Sequence, residues 1–187
     1  MFVLYAVVLG IVAGLLLGGR LERLDNVRLR WTPLALGGLI VQVVLFSGPV
    51  GDALGGLSPL VYMASTGAVL VFVLRNLRIT GLPIVTVGAA LNLAAIVANG
   101  GFMPAAAEAL AAAGRSAAAG YSNSVVRTEP ALRPLTDIFG LPAWLPLANV
   151  FSVGDMLIGL GVAVAIAVAM RSAPADAEPE PEPIRPA

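Results

Sequence analysis

Five apolar runs, Phe2 to Leu17, Thr32 to Phe46, Pro59 to Leu74, Leu82 to Val97 and Val150 to Met170, alternate with polar connections along the chain. Each approaches the roughly 20 residues that a helix needs to cross a hydrocarbon layer about 30 Å thick. The pattern predicts an all-α fold, an integral membrane bundle of five transmembrane helices. One connection, 99–149, is long, and it is expected to form an outer loop segment containing a short surface helix. PAAAEALAAAG supplies that helix: strong helix formers follow Pro104 and Gly114 stops them. The remainder, with Pro130, Pro134, Pro142 and Pro146, is predicted to be irregular, and Trp144 fits an interfacial anchor beside the last span. Residues 1–171 thus form a single transmembrane domain. The tail 172–187 alternates Pro with acids, cannot bury a core, and is expected to be disordered.

Composition agrees with a bilayer as solvent: 58% of residues are hydrophobic and 12% charged, with a mean hydropathy of +0.92. No basic residue precedes the first run, whereas Arg20, Arg23, Arg28 and Arg30 follow it, so it reads as a retained span and not a signal peptide. Arg75 and Arg78 in the third connection and Arg171 after the last run fall on the same side. The second connection, Ser47 to Ser58, carries only Asp52. Arginine marks cytoplasmic loops, which places the chain in a bacterial inner membrane with the N-terminus outside and the C-terminus cytoplasmic. Arg115, Arg127 and Arg133 then lie outside, in a loop long enough to escape that rule. Zero net charge and scattered Arg give no nucleic-acid groove. Without Cys or His there is no disulfide, thiolate or imidazole, and neither a metal nor a cofactor is expected. The odd number of spans and the lack of an internal repeat argue against the paired halves of many transporters.

Partners expected on this pattern are the lipid bilayer and either another membrane protein or a second copy. Gly10, Gly14 and Gly18 recur every four residues and would let another helix approach closely, within the bundle or in a homodimer. Gln42 and Asn92 are expected to make interhelical hydrogen bonds. Other polar residues gather at the predicted outer face: Asn99, Asn123, Arg127, Glu129, Arg133, Asp137, Asn149, Ser152 and Asp155. Of these, Asn99, Asn149 and Ser152 are candidate supporting or substrate-facing groups. NGGFMP, which holds Asn99, also has a complete explanation as a helix stop followed by a start.

Asp155 is the one acid inside an apolar run. In SVGD it has the spacing of a capping box, with Ser152 as N-cap and a helix starting at Val153. Alternatively the helix starts near Pro146 and buries Asp155 about two turns deep, where it needs a partner, a proton or a wet cleft. Asp137, on the Pro-rich return to the outer face, is the candidate partner. Two carboxyls held about 3 Å apart share a proton, so that one acts as base and the other as acid.

LTDIFG followed by FSVGDMLIGLG resembles the C-terminal part of signal peptidase II, the membrane aspartyl peptidase of prolipoproteins. Phe151, Val153, Asp155, Ile158 and Gly161 fit its last-span pattern, and the resemblance implies catalytic roles for Asp137 and Asp155. Ser152, Gly154 and Ile138 stand where that family has Asn, Ala and Arg. Asn99 and Gly101 follow the fourth run, whereas its Asn-x-Gly motif follows the first span. GGRLERL, NGGFMP and SVGDMLIGLG together are similar to a family of small bacterial membrane proteins of unknown function, which implies five spans and supplies no activity. Three functions stay open: a non-catalytic assembly partner or accessory protein, an aspartyl hydrolase, and a channel or transporter for small solutes or lipids.

Overall fold

The computed structural model describes residues 2–116 and 125–172, and Asn123 and the acidic tail lie outside them. Seven α-helices dominate the described residues. α1 (Phe2–Leu16) ends where Gly18 takes a φ of +78°, and the chain then turns back so that Arg20 N donates to Met170 O at 2.8 Å. A 3-10 turn, Leu21–Asn26, leads to α2 (Thr32–Leu45), which carries Pro33 in its first turn, where no N–H is needed. A short helix α3 (Pro49–Leu54) and a 3-10 turn run into α4 (Ser58–Arg75). Gly81, at φ +96°, makes the sharp entry to α5 (Leu82–Ala98).

After α5 the chain crosses one end of the bundle. α6 (Ala107–Ala112) is the expected surface helix, and Gly114 follows it at φ +64°. The Pro-rich stretch contains a 3-10 turn, Arg133–Leu135, and a small ribbon that the sequence pattern does not signal. In it β1 (Phe139–Gly140) pairs antiparallel with β2 (Val150–Phe151), Phe139 opposite Phe151. α7 (Val153–Ala169) follows. The last helix starts at Val153, as the capping-box reading of SVGD has it, and not near Pro146; Val150 and Phe151 of the apolar run belong to the ribbon.

The long helices pack in the order α1, α7, α5, α4, α2. Small residues set the closest approaches. A Cβ on Gly10 would lie 2.8 Å from Ala163 Cα, one on Gly88 2.9 Å from the Ile158 backbone, and one on Gly38 2.9 Å from Ser65 O. Gly10 and Gly14 thus serve α1 against α7, inside the chain. Gly18 does not share that face: nothing lies within 4 Å of its missing Cβ, and it is used for its left-handed backbone. Leu45, Tyr62, Ala95, Ile96 and Met103 form the main buried cluster, while Ala105, Ala109, Leu110, Ala113 and Val150 form a second under the end loop.

The helical stretch Pro49–Arg75, 27 residues with an 18-residue window at a mean hydropathy of 1.9, is long and apolar enough to cross a membrane. α1, α2, α5 and α7 are apolar and shorter, at 14 to 17 residues. Their outward faces carry large exposed apolar side chains, among them Leu9, Leu16, Ile40 and Val43.

Candidate functional site

The ribbon delivers the chain to α7 in a fixed conformation. Phe151 stacks between Phe2 and Phe139, with ring centroids at 4.6 and 5.4 Å, and this anchors the residue just before the helix. Ser152, extended at φ −104° and ψ 172°, then caps α7. Its hydroxyl oxygen accepts from Asp155 N at 3.0 Å, and its own N–H donates to Asp155 Oδ2 at 3.0 Å. That is a complete capping box, which satisfies two donors that would otherwise be orphaned at the helix start.

Asn92, from the middle of α5, ties into the same group. Its Nδ2 donates to Asp155 Oδ1 at 2.8 Å, and its Oδ1 accepts from the Ser152 hydroxyl at 2.7 Å. Both Asp155 oxygens are thereby held, one by its own helix start and one by a neighbouring helix. Gly154 makes this possible, since any Cβ there would collide with the Asn92 side chain.

Asp137 comes from the end loop and is 6% exposed. Its backbone is pinned on both sides: Asp137 N donates to Pro104 O at 2.9 Å, and Ala106 N donates to Asp137 O at 3.0 Å. Burial, and next the negative charge of Asp155, push the Asp137 carboxyl from its ordinary 3.8 up to about 8. At neutral pH it therefore keeps its proton. The two acids then differ in role: Asp137 can donate a hydrogen bond, and Asp155 can accept.

Both acids line one cavity of about 460 Å³, together with Asn92, Asn149, Gln42, Thr66 and Tyr62. All five long helices contribute to its wall, so the packed row curls around it. Along α5 its lining runs from Ala89 to Ile96, a rise of about 10 Å. The deeper wall is apolar, built from Leu39, Val69 and Ala89. Gln42 bridges to Thr66 at 3.3 Å across α2 and α4.

Of the residues singled out from the sequence, the structure brings Asp137, Asn149 and Asp155 to this cavity, with Ser152 bracing Asp155 from behind. Asn149 Oδ1 also accepts from Arg115 at 2.8 Å. Asn99 is employed elsewhere: its amide nitrogen donates to Ala95 O and Ala131 O, and its oxygen accepts from Ala131 N, which straps the end loop to α5. Gln42 and Asn92 do bridge helices, but both also face the cavity, a role that hydropathy alone does not separate from simple bridging. Met103 of NGGFMP lines the cavity as well. Among the described residues no group of three or more His, Cys, Asp or Glu is placed to hold a metal ion.

These features define a class: an all-α bundle with an unequal pair of carboxyl groups set in a cavity at one end. The chain belongs to the family of unknown function DUF5317, whose model matches residues 26–167 and so includes Asn92, Asp137, Ser152 and Asp155. No curated protein and no solved structure matches the chain.

Proposed function

We propose that the chain is a five-span protein of the bacterial inner membrane whose Asp137–Asp155 pair hydrolyses an acyl bond at the outer membrane face. The observation that carries this reading is the placement of a buried, protonated carboxyl and a hydrogen-bonded carboxylate on one cavity wall. Exposed Leu9, Leu16, Ile40 and Val43 support the membrane placement, because water would not favour so much uncovered apolar surface on two helices. The shorter helices, about 21 to 26 Å long, would be met by local thinning of the bilayer.

With an acyl group in the cavity, Asp155 takes a proton from a water as its oxygen adds to the carbonyl carbon. Asp137 gives its proton to the carbonyl oxygen, producing a neutral diol. In the return step Asp137 recovers a diol proton as the carbonyl reforms, and Asp155 hands its proton to the leaving nitrogen. The net change is one water added across the bond, with both acids restored.

A second reading is a non-catalytic accessory protein, favoured by the complete capping box, which gives Asp155 a structural purpose without chemistry. The variants Asp137→Asn and Asp155→Asn, assayed on purified protein with internally quenched apolar peptides, separate the two. Hydrolysis predicts a loss of about 10² to 10⁴-fold in rate for each, with normal accumulation of Asp137→Asn. If Asp137→Asn keeps full activity or fully complements a deletion strain, the accessory reading stands.

A further inference from the structure

A second cavity, of about 380 Å³, opens at the other end of the bundle, and its charge is of opposite sign to the first. Arg28, Arg30, Arg75 and Arg78 line it, and no carboxylate does. The four arginines come from two separate places, the connection before α2 and the end of α4 with the turn after it. Like charges on free loops would spread apart, but these loops are clamped. Asn76 is 3% exposed; its Oδ1 accepts from Arg30 N at 2.8 Å, and its Nδ2 donates to Arg30 O at 2.8 Å. The same Nδ2 donates to Phe72 O at 2.8 Å, which fixes the clamp to α4. Arg75 in turn lies 5.7 Å from the centre of the Trp31 ring.

Asn76 thus joins the two segments, and four arginines line one opening. A guanidinium binds phosphate oxygens in pairs, so an anion of that kind fits the cluster and relieves its self-repulsion. Arg28 and Ile79 also line an adjoining crevice of about 250 Å³, whose wall includes the apolar Val27, Ala165, Val168 and Ala169. A charged chamber that shares Arg28 and Ile79 with a crevice half lined by apolar side chains suits a ligand with a phosphate head and a hydrocarbon body. We propose that this end of the bundle binds the phosphate of an anionic phospholipid from the leaflet on that side. The proposal rests on the membrane placement and is independent of the carboxyl pair.

Native mass spectrometry of the full chain in detergent tests it, with phosphatidylglycerol, phosphatidylcholine and inorganic phosphate as probes. The expected result is retention of phosphatidylglycerol over phosphatidylcholine. Arg28→Gln with Arg78→Gln should weaken it about thirtyfold, roughly the worth of two basic side chains at an anionic surface. Arg127→Gln with Arg133→Gln, at the opposite end, should leave it unchanged. Should the double variant fail to fold, Arg78→Gln alone, on an exposed side chain, should still weaken binding about fivefold. Displacement of the lipid by millimolar phosphate would transfer the site to a soluble phosphate and overturn the lipid source. Equal retention of both lipids, or binding indifferent to the arginines, would overturn the site itself. A chain that stays dispersed without detergent would overturn the membrane placement instead.

Discussion

Asn92 and Asp155 meet at 2.8 Å, amide nitrogen to carboxylate oxygen, although 63 positions separate them in the chain. One side chain from mid-α5 therefore sets the orientation of the first turn of α7. The Ser152 hydroxyl closes the triangle by donating to Asn92 and accepting from Asp155 N. Disturbing any corner should be felt at the other two.

Replacing Asn92 with Leu leaves the Ser152 hydroxyl and Asp155 Oδ1 without that partner, at about 1 to 3 kcal/mol. Ser152→Ala removes the cap oxygen and the donor to Asn92 Oδ1 but keeps the Ser152 N–H bond to Asp155 Oδ2, and should cost about 1 to 2 kcal/mol. Thermal unfolding in nanodiscs should rank the two losses in that order. If Ser152→Ala is the more damaging, the triangle is held mainly from its Ser152 corner.

Asp137 gives stability a definite pH dependence. Its carboxyl titrates near 3.8 when unfolded and at about 8 when folded, so between these values the folded chain binds the extra proton. The stabilisation is full below about 4 and is lost progressively as pH rises through about 8. Melting temperature should accordingly fall from pH 5 to pH 8, and Asp137→Asn should flatten that slope. A wild-type protein whose melting temperature rises over this range would contradict the assignment.

Glycines at the helix crossings should be far less replaceable than those in open positions. Gly88→Ala drives a methyl to 2.9 Å from the Ile158 backbone, and Gly10→Ala drives one to 2.8 Å from Ala163 Cα. Gly37 and Gly67 have nothing within 4 Å, and alanine there should be neutral or favourable by up to about 1 kcal/mol. Accumulation and melting temperature of the four variants form the check, and similar values across them would count against this packing.

Asn99 straps Ala131 to the end of α5, so Asn99→Ala should loosen the loop that carries Arg127 and Arg133. Trypsin added to spheroplasts should then cut the variant after Arg127 much faster than wild type, whereas Arg133 is protected by the Pro134 that follows it. Arg28 and Arg75 should stay protected until the membrane is opened. Cleavage there in intact spheroplasts would reverse the proposed orientation.

The helices were legible because long apolar runs carry their own signal. Thr32 and Leu82 begin α2 and α5 where the runs begin. Two-residue strands have no period to detect, so the ribbon was invisible, and with it the reason α7 starts at Val153 and not at Val150. SVGD announced the capping box through its spacing alone. Its link to Asn92 depends on how α5 and α7 cross, which Gly88 and Gly154 permit and no local pattern encodes. Gly18 misled by periodicity: its spacing matches Gly10 and Gly14, but its backbone has already left the helix. The arginine chamber was hidden in plain view. Arg28, Arg30, Arg75 and Arg78 read along the chain as orientation signals, and only the Asn76 clamp gathers them at one opening.

The capping box binds two processes that most proteins keep apart. The hydrogen bonds that let α7 begin are made by the carboxylate that shares a cavity with Asp137, so starting the helix and completing that cavity wall are a single event. α7 is the last of the described helices, and until it packs Asp137 lacks the Asp155 charge and Asn92 has no acid to hold. The pair is therefore complete only once α7 has formed, and anything that later frays the first turn of α7 would undo it.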